Sequence, residues 1–107
     1  VSKALASRRI LVRGSVQGVG FRWWVSRNAI LLGISGEVCN LCDGSVEILA
    51  SGSGEALAEL EEMCRKGPSG ALVESLETME IDIVPPPGFR VSRGTSLREL
   101  TQKGGRL

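Results

Sequence analysis

The chain has 107 residues, 42% hydrophobic and 23% charged, which are the proportions of one soluble globular domain and too little material for two. Thirteen basic against twelve acidic residues leave a net charge of +1, so no overall field draws in nucleic acid or an anionic membrane. Histidine is absent, which excludes Ser-His and Cys-His dyads, imidazole acid–base catalysis and the commonest zinc and haem ligand sets. In chain order, Arg9-Ile10-Leu11-Val12-Arg13 is a short apolar run with β-branched residues, read as a strand buried on both faces. Seven residues with three glycines follow, Gly14 to Gly20. Apolar residues then recur at Phe21, Trp24, Val25, Ala29 and Leu32, one face of a helix, which Gly33 closes at the C′ position. Strands over 36–41 and 45–50 meet across Asp43-Gly44, a dipeptide favoured in tight hairpins. A loop over 51–54 supplies an N-cap serine for a second helix over 55–66, with Leu57, Leu60 and Cys64 on its inner face and Arg65-Lys66 before Gly67-Pro68. A last β signal covers 71–84. Pro85-Pro86-Pro87-Gly88 breaks it, and a short apolar piece closes the pattern around Phe89–Val91.

The order is β-α-β-β-α-β with a short fifth strand, an α+β ferredoxin-like arrangement in which two helices cover one face of a mostly antiparallel sheet and the other face stays wet. The expected layout is a basic N-terminal tail over 1–8, the domain over 9–91, and a polar, basic C-terminal tail over 92–107 that frays. Charge is unevenly spread along it. Residues 1–36 contain six Lys/Arg (Lys3, Arg8, Arg9, Arg13, Arg22, Arg27) and no acid, whereas 55–82 hold eight acids against Arg65 and Lys66. The acidic part reads as a solvated helix face plus an exposed strand. The longest apolar run is far short of the roughly 20 residues a membrane span requires. Val1 to Ser7 offers no signal-peptide core, and three cysteines is an odd count, so a cytoplasmic location is expected.

The glycine-rich loop sits between a strand and a helix start, where backbone N–H groups converge and the helix dipole adds positive potential. Such a loop is either a tight connection or an anion cradle. The glycine spacing (14, 18, 20) is not a dinucleotide fingerprint, and no Gly-Lys-Ser/Thr follows as in a P-loop. Arg22 favours the cradle, because its forked donors stand on the first helical turn, where they clamp two oxygens of a phosphate held by the loop amides.

The strings Gly14-Ser-Val-Gln-Gly-Val-Gly-Phe-Arg22 and Gly36-Glu-Val-Cys-Asn40-Leu-Cys-Asp-Gly44-Ser-Val-Glu47 together resemble the acylphosphatase family. The resemblance runs from about Arg9 to Val91, including Lys66-Gly67-Pro68 and Gly88-Phe89. It implies an enzyme that hydrolyses small acyl phosphates to carboxylate and inorganic phosphate as a monomer, with no cofactor, no metal, no nucleic acid and no membrane. By residue match, Ser15, Val16, Gln17, Gly18, Val19, Gly20 and Arg22 bind the phosphoryl group and Asn40 orients the attacking water, Arg22 and Asn40 being the catalytic pair. The absence of histidine suits this chemistry, since phosphoryl transfer from a good leaving group asks mainly for positioning and positive charge. Two positions depart from the family pattern: Glu37 where an aromatic is usual, and Cys42 where many relatives have proline.

The rival readings are a non-catalytic or carbamoyl-phosphate-binding module of the same family, and an RNA-binding ferredoxin-like domain. The expected third strand, Ser45-Val-Glu-Ile-Leu-Ala50, lacks the base-stacking aromatic that RNA binding requires. Cys39-x-x-Cys42 reads as a pair of thiols rather than a zinc or redox site, and Cys64 as core.

Overall fold

The computed structural model describes residues 5–93. In chain order the elements are β1 (Leu5–Ser15), α1 (Phe21–Leu31), β2 (Ser35–Asn40), β3 (Val46–Ser53), α2 (Gly54–Lys66), β4 (Leu72–Glu80) and β5 (Phe89–Val91). The five strands form one sheet ordered β4-β1-β3-β2-β5. Its pairings are antiparallel except β2 with β5, which is parallel. This is the expected ferredoxin-like fold with a fifth strand added. Since β1 and β2 both run against β3, and β5 runs with β2, the C-terminal ends of β1, β2 and β5 lie at one end of the sheet.

The core lies between the sheet and the helices. Ile10 and Val12 of β1, Val38 of β2, and Val46, Ile48 and Ala50 of β3 meet Phe21, Val25 and Ala29 of α1 and Leu57, Leu60 and Cys64 of α2. The helix ends follow their sequence signals. Ala56 N donates to Ser53 Oγ at 3.1 Å, capping α2. At the end of α1, Gly33 N donates to Ile30 O (3.1 Å) and Ile34 N to Ala29 O (2.9 Å), the paired bonds of a Schellman stop with a left-handed Gly33.

Three strand boundaries differ from expectation. β1 begins at Leu5 rather than Arg9, and β3 continues through Ser53, so the expected 51–54 loop is mostly strand. The two extensions pair with each other, Leu5 to Ser53, Ala6 to Gly52 and Ser7 to Ser51. Their small polar residues carry no strand pattern, and only the partner strand holds them extended. β4 stops at Glu80 instead of continuing to 84. After Ile81, whose N–H still donates to Ser7 O at 3.0 Å, the chain must cross from β4 at one sheet edge to β5 at the other, and three prolines keep it out of the ladder.

The face of the sheet turned away from the helices is not wet at its centre. Leu11, Leu49 and Cys39 are buried there, as are the carboxylates Glu37 and Glu47. Arg9 Nε lies 2.6 Å from Glu47 Oε2, and Arg90 Nη2 lies 3.4 Å from Glu37 Oε1. Strict alternation on β2 and β3 places these acids opposite the core, so Glu37 takes an arginine from the neighbouring β5 instead of disturbing the helix side. The 55–82 acids behave as expected of a solvated face, with one addition: Glu61 accepts from Arg8 Nη1 at 2.7 Å.

Candidate functional site

The loop from Ser15 to Gly20 leaves the end of β1 and delivers the chain into α1. Val16 is fully buried and Val19 packs against the core, so both loop valines are anchors. Between and after them Gly18 (φ 75°) and Gly20 (φ 79°) are left-handed. Left-handed residues alternating with ordinary ones turn successive N–H groups to one side, the geometry of an anion-binding nest. A side chain at either glycine would meet nothing within 4 Å; glycine stands there for its backbone angles, and the space above both is open.

Gly20 is also the N-cap of α1. It provides no side-chain cap, and no acid lies in the first turn. The free N–H groups of that turn therefore keep their positive potential for an external anion. In α2, by contrast, Ser53 caps and Glu55 stands in the first turn.

Arg22 stands on this first turn. Its Nη1 donates to the backbone carbonyl of Ser92 at 2.9 Å, while Arg8, Arg9, Arg13 and Arg90 each face a carboxylate. A neutral carbonyl orients the guanidinium without neutralising it, so its remaining donors stay available to a phosphate. Ser92 N in turn donates to Val38 O at 2.8 Å, two residues before Asn40 on β2. Asn40 ends that strand, and its Oδ1 is buried with no hydrogen-bond partner among the described residues. A buried acceptor of this kind is matched to a water molecule or a ligand hydroxyl, which donates to it.

On the other side of the site, Gln17 Nε2 donates to Leu41 O (2.8 Å) and Ser45 O (2.9 Å). Loop, Arg22 and Asn40 thus come to one end of the sheet, tied through β5 on one flank and through the β2–β3 turn on the other. That turn is held by Asp43, which accepts from Ser45 N at 2.9 Å and from the Ser45 hydroxyl. These bonds, the hydroxyl's first, hold the Asp43 carboxyl below the usual carboxylate range. A cavity of about 260 Å3 lies beside the turn, lined by Arg13, Gly14, Asp43, Gly44, Ser45 and Glu74. Neither Arg22 nor Asn40 reaches it, and two of its side chains are carboxylates that repel phosphate.

Sequence reasoning did not find Ser92 or the side-chain role of Gln17. Ser92 acts through a carbonyl, which every residue has, so no residue type marks it. Gln17 was read for its backbone amide alone; its signal was a long amide side chain between two glycines in an otherwise small and apolar loop. Among the described residues no cluster of acids or cysteines is arranged to hold a metal, and no helix is long and apolar enough to cross a membrane.

Comparison with known proteins bears on the family and the fold. The family model described as acylphosphatase matches residues 8–91. A curated acylphosphatase of Alkalilimnicola ehrlichii is 49% identical over 85 residues, covering 79% of this chain and 96% of that protein. One of Nitrobacter winogradskyi is 50% identical over 74 residues, covering 69% of this chain and 75% of its own length. Among solved structures, an acylphosphatase from Coxiella burnetii superposes with a TM-score of 0.79 at 35% identity, covering 82% of this chain and 93% of that one. With its fold, both sequence strings and a match spanning nearly all the described residues, this chain belongs to the acylphosphatase family.

Proposed function

We propose that this protein is an acylphosphatase in which the loop 15–20 and Arg22 hold the phosphoryl group and Asn40 orients the water that attacks it. The observation that carries the reading is the pairing of an uncapped, acid-free helix start bearing Arg22 with the buried, unpartnered Oδ1 of Asn40. The first is a site for charge, the second a site for a donor.

In the reaction the bond between phosphorus and the acyl oxygen breaks, its electron pair leaves on the carboxylate, and the water oxygen bonds to phosphorus. Most of the developing charge sits on the leaving oxygen and the three equatorial phosphoryl oxygens. Backbone N–H groups of Ser15 to Gly20 and the free donors of Arg22 are fixed before substrate arrives, so stabilising that charge costs little reorganisation. Asn40 accepts one water hydrogen through Oδ1, which aims an oxygen lone pair at phosphorus. A phosphoryl oxygen takes the proton that the water loses. No enzyme group need titrate, in keeping with a chain that has no histidine.

Every proposed contact comes from one chain, so a monomer suffices, with the activity carried by residues 9–91. The odd number of cysteines supports a reducing compartment, the cytoplasm. The test is hydrolysis of benzoyl phosphate by the purified protein, beside Arg22→Ala and Asn40→Ala. Both variants are expected to lose at least about 100-fold in kcat/KM, the scale of removing one preorganised charge-stabilising group. Wild type no faster than buffer refutes the enzyme; an active wild type with an equally active Arg22→Ala refutes the assigned site.

A further inference from the structure

The side chain of Gln17 makes contacts that phosphate binding does not explain. Its single Nε2 donates both hydrogens across the site, to Leu41 O at 2.8 Å and Ser45 O at 2.9 Å. The turn it grips is already closed by its own bonds. Leu41 N donates to Ser45 O (2.8 Å), Gly44 N to Leu41 O (3.2 Å), and Asp43 accepts from both the amide and the hydroxyl of Ser45. Among the described residues, then, the turn's shape is accounted for without Gln17. What the two extra bonds add is a link between bodies: they fix the turn relative to the loop from which Gln17 projects.

Asn40 is the residue immediately before that turn. The Leu41 N–H is held by Ser45 O, and the Leu41 carbonyl by Gly44 N and Gln17 Nε2 together, so both peptide planes flanking Leu41 are fixed. They fix the backbone from which the Asn40 carboxamide projects. Nothing in the side chain of Asn40 fixes it independently, since Oδ1 has no partner among the described residues.

We propose that Gln17 is a positioning residue that holds the water-orienting Asn40 at working distance and angle from the phosphate cradle. Its backbone N–H belongs to the cradle, and its side chain sets where the attack comes from. This rests on the reading of Asn40 as the residue that orients water. A misplacement of about 1 Å in a reacting geometry lowers the rate by up to about 100-fold, whereas phosphate held by backbone amides and Arg22 does not depend on the Gln17 side chain.

The test uses Gln17→Glu, which sets a carboxylate against two carbonyl oxygens, and Gln17→Met, which removes the donors at similar length without repulsion and serves if the first does not fold. Each is measured alone and combined with Asn40→Ala, for kcat with benzoyl phosphate and for the inhibition constant of inorganic phosphate. The expected result is a kcat at least about tenfold lower in the single variants, a phosphate constant within about twofold of wild type, and no further fall in kcat when the change is added to Asn40→Ala. An unchanged kcat overturns the proposal. So does a phosphate constant that weakens with kcat, which would place the effect in the cradle, or effects that multiply in the double variant, which would make Gln17 independent of Asn40. Asn40→Ala with wild-type kcat removes the underlying reading of Asn40 and this proposal with it.

Discussion

Replacing Asn40 by alanine separates stability from function in a way the structure makes quantitative. A buried acceptor without a hydrogen bond costs about 1–3 kcal/mol, and Asn40 Oδ1 is such an atom among the described residues. Truncation removes it. Alanine keeps the β-carbon and loses only the carboxamide, so Asn40→Ala is expected to leave the fold as stable as wild type or more stable by up to about 2 kcal/mol. For a domain of this size each kcal/mol moves the melting temperature by about 4–8 °C. The same substitution deletes the group proposed to orient the attacking water, and kcat is expected to fall by about 100-fold or more. Thermal melts by circular dichroism, paired with benzoyl phosphate kinetics on the same preparation, measure both quantities. A variant destabilised by more than about 1 kcal/mol would mean that Asn40 is held by the fold and not kept for a ligand, and the reasoning would fail even if activity were lost.

Other outcomes follow from contacts elsewhere. Arg22→Lys keeps the charge but loses the planar fork that meets both Ser92 O and phosphate, and is expected to lower kcat/KM by about 10- to 100-fold in initial-rate measurements. Arg9→Met removes the guanidinium that lies 2.6 Å from the carboxylate of Glu47, whose side chain is 0% exposed; urea unfolding is expected to show a loss of up to about 3–5 kcal/mol, much of it restored by adding Glu47→Leu, and a single variant as stable as wild type would contradict the pairing. Burial pushes the Cys64 thiol up to about 12 from 9.0, so its contribution to stability is complete below pH 9 and is lost as pH rises from 9 towards 12; Cys64→Ala should flatten that alkaline decline in denaturant titrations. At pH 8 a thiol reagent is expected to label exposed Cys42 rapidly, with buried Cys39 and Cys64 reacting only after denaturation, as mass spectrometry of the labelled protein would reveal.

How much of this was legible in the sequence depends on the range of the force involved. Local chemistry read well: Asp43-Gly44 marks the hairpin turn, Gly33 the end of α1, Ser53 the cap of α2, and Phe89–Val91 coincides with β5. The left-handed Gly18 and Gly20 and the helix start bearing Arg22, the proposed cradle, were marked for the same reason, since glycines and an arginine adjacent in sequence are adjacent in space. Features made by distant partners were not. Leu5–Arg8 and 51–53 are extended because they pair with each other, and Ile83 and Val84, apolar enough to prolong β4, leave it because the chain has an edge-to-edge crossing to make. Glu37 stood out only as a carboxylate where an aromatic is usual, and Glu47 only as part of a strand, yet both are buried against arginines that lie 53 and 38 positions away. At the site, residue type could mark Arg22, whereas the carbonyl that aims it, 70 positions on, has no residue type to mark.

That 70-residue bond has a bearing on how activity returns after unfolding. The cradle forms locally, and the hairpin carrying Asn40 is also local, but Arg22 is aimed only when β5, a three-residue strand at the sheet edge, has zipped onto β2. Contacts of such sequence separation form late because the entropy of closing the intervening chain must be met first. A refolding population that has regained its helices and its β2–β3 hairpin therefore still leaves Arg22 without its anchor until β5 docks, and turnover becomes a reporter for the docking of that strand.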